Sequence, residues 1–157
     1  MRLSILAAIA ATSIASAAPA HAEQWWVVAK DTSKGIVIEK DSMMTAPSGA
    51  RRVWSALIYA DPISDLDDED VHILRALNEV DCGQRRLRRL QASFLNKDYK
   101  RRHETDITGD WQFAAPGTVA NVVVEAACNG LDGLEESGPH SSLPDAVVYY
   151  FDWWIEQ

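Results

Sequence analysis

Two cysteine sulfurs, four imidazoles and one dense run of guanidinium groups are the side chains of this 157-residue sequence with the most to offer chemically. Cys82 and Cys128 form neither a CxxC motif nor a Cys/His cluster, which argues against redox catalysis and against zinc. In an oxidising compartment an even count this small reads as one disulfide. His72, His103 and His140 sit in separate segments, none at metal-ligand spacing. No serine has the setting of a nucleophile elbow, and no glycine-rich loop is built to cradle phosphate. No cofactor and no metal are expected, and the chain reads as a non-enzyme. Carboxylates are abundant, and a hydrolytic pair of them meets only in space. A periplasmic hydrolase with an unrecognised carboxylate site is therefore the second alternative.

Binding chemistry is better supplied than catalysis. Arg85, Arg86, Arg88 and Arg89 put guanidinium groups on both faces of an extended segment, and Lys97, Lys100, Arg101 and Arg102 carry the strip onward. Such a strip suits an acidic protein, a polyanion or phospholipid head groups. The competing reading is that the acids preceding it, from Asp67 to Asp81, neutralise it across a strand pair. Trp153 and Trp154, with Tyr149 and Tyr150, form the other candidate surface, since Trp, Tyr and Arg dominate binding hot spots. Its competitor is a tail docked into the core. The net charge is −8. An acidic chain with one basic strip is a poor nucleic-acid binder. Asp65, Asp67 and Glu69 lack the glycine and the distant glutamate of an EF-hand, so the run from Ser64 to Asp70 reads as a solvated loop.

The elements that must position these groups follow from pattern. Met1-Arg2, the apolar run Leu3 to Ala15 and Ala20-His21-Ala22 read as a signal peptide over residues 1–22, cleaved before Glu23. That places the protein in the periplasm or outside the cell, and no cysteine near the cleavage site offers a lipid anchor. Trp25 to Lys30 and Ile36 to Glu39 read as strands flanking the turn Asp31 to Gly35. A helical turn starts near Asp41-Ser42. Arg52 to Ala60 is apolar on both alternations, which suits a central strand covered on two faces. Val71 to Val80 fits a helix or a strand, and the strand is favoured because it runs into Cys82. After a turn at Gly83-Gln84, residues Arg86, Arg88, Leu90, Ala92 and Phe94 alternate against Leu87, Arg89, Gln91, Ser93 and Leu95. Asn96 to Asp110 reads as a mobile loop and Trp111 to Phe113 as a short extended piece. Thr118 caps a helix whose stripe is Val119, Val122, Val123, Ala126 and Ala127, closed by Asn129-Gly130. Gly130 to Pro144 reads as a linker, and Asp145 to Ile155 as an apolar, aromatic tail. The expected fold is α+β, an antiparallel sheet of about five strands with one helix packed on it and one disulfide. The expected division is a leader over 1–22, a domain over 23–130, and an acidic linker with aromatic tail over 131–157.

The order of these features resembles a known family. Trp26, then Ile38-Glu39-Lys40-Asp41-Ser42-Met43, Val53-Trp54 with Leu57 and Tyr59, and Glu79-Val80-Asp81-Cys82 with Arg85, Arg86, Arg88 and Leu90 form its first part. Trp111, Pro116-Gly117-Thr118 and Cys128 complete it. The set is similar to the surface-adhesin protein E family of small exported bacterial domains. The resemblance implies an antiparallel sheet with a packed helix, tied by one disulfide. The family's namesake is an outer-membrane adhesin that binds host matrix and complement-regulating proteins. The matching positions are structural, so no ligand-contacting residue carries over. The expectation is an exported, non-catalytic, adhesin-like binding protein of the cell envelope, with a structural or assembly role as the first alternative. A protein or polyanionic partner, peripheral contact with the envelope and a homo-oligomer are the associations open to it, and nucleic acid is not among them.

Overall fold

The computed structural model describes residues 23–63, 70–106, 108–134 and 137–156. The expected signal peptide and residues 64–69 of the acidic run lie outside the described residues. The chain runs β1 (Trp25–Lys30), β2 (Lys34–Glu39), a 3₁₀ turn (Lys40–Ser42), β3 (Met44–Thr45), β4 (Arg51–Tyr59), β5 (Ile73–Asp81), β6 (Arg86–Leu95) and β7 (Arg101–Thr105). It continues with β8 (Gln112–Phe113), α1 (Val119–Asn129), β9 (Ser137–His140) and α2 (Leu143–Ile155). All pairings are antiparallel, in the order β7-β6-β5-β4-β2-β1-β9, with β3 on β4 and β8 on β6.

The class is α+β as expected, but the sheet has nine strands and two helices pack on it among the described residues. The extra strands arise where hydrophobic pattern is weakest. β3 and β8 are only two residues each. β7 is formed from the hydrophilic stretch after Asn96, and as an edge strand it leaves its charged side chains in water. β9 comes from a Gly-Pro sequence that pairs along the other edge.

Both alternations of β4 are used. Val53 packs under α1 with Val28, Ile36, Ile38, Val80, Val123, Val124 and Ala127. Ala56 and Ile58 pack under α2 with Trp25, Val27, Val37, Ile73, Val147 and Tyr150. One sheet thus carries a separate core on each face. α1 begins where the Thr118 hydroxyl accepts a hydrogen bond from the Asn121 amide, and ends where Gly130 turns at φ 86°. α2 is likewise capped by Ser142, with Pro144 in its first turn. Its residues Leu143, Ala146, Val147 and Tyr150 are buried, so the aromatic tail docks on the sheet. Tyr150 lies over the first hairpin, where a side chain on Gly35 would come within 2.8 Å of its ring, and its hydroxyl donates to the Asp31 carbonyl.

Cys82, in the β5–β6 turn, is joined to Cys128 near the end of α1. The link ties the helix to the hairpin that carries the arginines. No helix of the described residues is long and apolar enough to cross a membrane.

Candidate binding face

α2 covers only the upper half of its face of the sheet. Below it the strands continue as Trp54 and Arg52 on β4, as Arg75, Leu77, Glu79 and Asp81 on β5, and as Arg86 and Arg88 on β6. The antiparallel register sets Trp54 opposite Leu77, Arg52 opposite Glu79, Glu79 opposite Arg88 and Asp81 opposite Arg86. Acid and base blocks lie side by side, as the sequence pattern requires.

At the centre is Glu79, with its side chain only 4 % exposed. Arg88 donates to Glu79 Oε2 through Nε at 2.8 Å and Nη2 at 2.5 Å, and Arg52 Nη2 donates to Oε1 at 3.1 Å. Burial opposes ionisation of this carboxyl. The hydrogen bonds and charges of Arg88 and Arg52 outweigh it and hold the group below its ordinary range. Arg86 Nε donates to Asp81 at 3.1 Å. The guanidinium groups of Arg86 and Arg88 both lie 4.7 Å from the centroid of Trp111, which arrives from the segment just before β8. Farther along, Arg75 lies between Trp54 and Trp25, at 4.6 and 5.6 Å, and 3.7 Å from both Glu23 and Glu39. Burial and the neighbouring Glu23 raise the Glu39 carboxyl above its ordinary value, with Arg75 pulling the other way.

Two hollows flank the Glu79 cluster. One of about 360 Å³ lies between Trp111, Arg88 and the loop Ser48 to Ala50. The other, about 300 Å³, is lined by Trp54, Arg75, Arg52 and Met44. Exposed Met44 adds a soft apolar edge. Among the described residues no cluster of His, Cys, Asp or Glu could hold a metal ion. The Ser137 hydroxyl lies 3.2 Å from His140 Nε2, and burial holds that imidazole below its ordinary value despite Asp145 nearby.

The structure does not keep the eight basic residues in one strip. Arg85 reaches α1, donating to Asn121 and Glu125, each at 2.7 Å. Arg86 and Arg88 face the open half-sheet. A bulge at Leu90 then shifts the register, with Asn78 opposite Arg89 but Leu77 opposite Gln91. The uninterrupted alternation expected from Arg86 to Phe94 is therefore broken, and Ala92 and Phe94 share the α1 face with Leu87 and Arg89. Arg101 pairs with Glu104, and Arg102 with Asp70 at 3.1 Å. Lys97 Nζ sits 4.9 Å over Phe151 of α2, and Lys100 is exposed. Trp153 is half-buried beneath Lys30, while Trp154 rests edge-on against Phe151. Sequence reasoning does not single out Trp54, Arg52, Arg75 or Trp111 for binding. For Arg52, Trp54 and Arg75 the signal was a polar or aromatic residue at every second position of strands otherwise read as core; Trp111, just before β8, carried no such signal.

A family model described as surface-adhesin protein E matches residues 25–129. The chain belongs to that family. No curated protein and no solved structure matches it significantly. The Arg–Trp half-sheet lies inside the family segment, whereas β9, which extends the sheet at its edge, and α2, which covers the rest of that face, follow it.

Proposed function

We propose that this member of the surface-adhesin protein E family is an exported, non-catalytic binding protein of the cell envelope, and that it holds a protein partner through the half-sheet that α2 leaves open. The observation that carries this reading is the stacking of Arg86 and Arg88 on Trp111, continued through Arg52, Trp54 and Arg75. Arginines already fixed on indoles lose little side-chain freedom when a partner arrives, and Arg and Trp are the residues most enriched in binding hot spots. The cations here are paired with acids, which favours a protein surface offering both charge signs over a polyanion. The test is adsorption of the mature protein to immobilised matrix glycoproteins, comparing wild type with Trp111→Ala and an Arg86→Ser/Arg88→Ser pair. Trp111→Ala is expected to weaken binding about tenfold or more with folding unchanged. Equal retention of all variants would remove this face from consideration.

One observation favours the assembly reading. Val148 and Ile155 on α2 are 55 % and 74 % exposed. A self-association through that surface would be abolished by Ile155→Lys, and size-exclusion chromatography at several concentrations reads the outcome.

A further inference from the structure

The opposite face of the sheet holds a second opening, independent of the reading above. α1 crosses only part of that face. Beside its first turns a groove of about 260 Å³ remains, with Leu57 and Leu74 as its floor and Val119 and Val123 as its wall. Its polar lining is Ser55, Tyr59, Asn78, Arg89 and Gln112.

Arg89 differs from the other arginines of its strand. Arg85, Arg86 and Arg88 each hold a carboxylate, whereas Arg89 is exposed and forms no ion pair among the described residues. Asp110, which shares an adjoining hollow with it, does not pair with it. The Tyr59 hydroxyl likewise has no hydrogen-bond partner among the described residues. Burial raises the Tyr59 phenol above its ordinary value while the charge of Arg89 opposes the rise. Strand alternation from the β5–β6 turn puts Arg89, opposite Asn78, on this side of the sheet and Arg86 and Arg88 on the other.

We infer that the groove binds a single-chain amphipathic carboxylate, its alkyl chain along Leu57, Leu74, Val119 and Val123 and its head group on the Arg89 guanidinium. A trough with hydrophobic walls and a few placed polar groups is the usual form of a small-molecule site. One unpaired guanidinium matches one monoanionic head and presents the two parallel donors that a carboxylate accepts. A volume this small suits one short chain and not a two-chain lipid.

Calorimetric titration of the intact disulfide-bonded protein with decanoate, below its micelle concentration, tests the assignment. The expected result is saturable one-to-one binding that Arg89→Gln weakens about tenfold or more. The control Arg101→Gln, on the edge strand β7, leaves it unchanged, and uncharged decanol binds more weakly than decanoate. Ala120→Trp, which narrows the groove from the helix side, abolishes uptake in a protein shown by its melting curve to be folded. Absence of saturable binding, equal affinity for decanol, equal loss in both arginine variants, or binding confined to phosphatidylglycerol vesicles would each overturn it.

Discussion

Glu79 brings two guanidinium groups onto one buried carboxylate, and its titration sets a measurable acid limit. Its folded-state value is depressed below the ordinary 4.5, so the unfolded chain takes up the proton first as acid is added. The stabilisation is complete above about pH 4.5 and is lost as pH falls through the lower folded value. Glu79→Gln should cost about 1–3 kcal/mol at neutral pH, toward the low end because both arginines are about a third exposed. Chemical denaturation at pH 7 and pH 3.5 checks this: the difference between wild type and variant shrinks at the lower pH. At this scale the sequence is legible where partners are neighbours in a hairpin. Glu79 and Arg88 flank one turn, and counting back from Gly83-Gln84 brings them together. Trp111 is not legible as their companion, because a connection without hydrophobic period returns it to the sheet.

Between elements, the informative contrast is α1 with α2. α1 advertises itself through Thr118, its valine stripe and Gly130. α2 has comparable marks, with Ser142 as cap, Pro144 in the first turn, and Leu143, Ala146, Val147 and Tyr150 at helical spacing. They are obscured because nearly every residue between them is also apolar or aromatic, so the period loses contrast. Tyr150 fastens this helix to the first hairpin through its ring against Gly35 and its hydroxyl on Asp31. Tyr150→Ala should destabilise the protein by about 3–5 kcal/mol. Thermal melting reads the loss, and an unchanged midpoint would mean that α2 contributes little to the core. The edge strands β7 and β9 show the limit from the other side. Their pairing depends on backbone hydrogen bonds at a solvated margin, which leaves no mark in side-chain pattern.

For the whole molecule, the disulfide weighs heavily. It closes a loop of 46 residues, and the chain-entropy estimate for that length is about 4 kcal/mol. Reduction should lower the unfolding free energy by that amount, a large share of the 5–15 kcal/mol typical of a domain; urea titration with and without reductant measures it. That two cysteines would pair was readable from their even number together with the expected oxidising compartment. Which layers they would join was not, because a sheet with a core on each face is specified by both alternations of β4 together with a helix on each side.

The same bond has a consequence for survival among proteases. A single backbone cut anywhere between Gly83 and Ala127, including in the connection between β7 and β8, leaves both fragments covalently attached. A molecule nicked there would still migrate as one band until a thiol is added, and the sheet and helix could keep their seats after the chain itself had been severed.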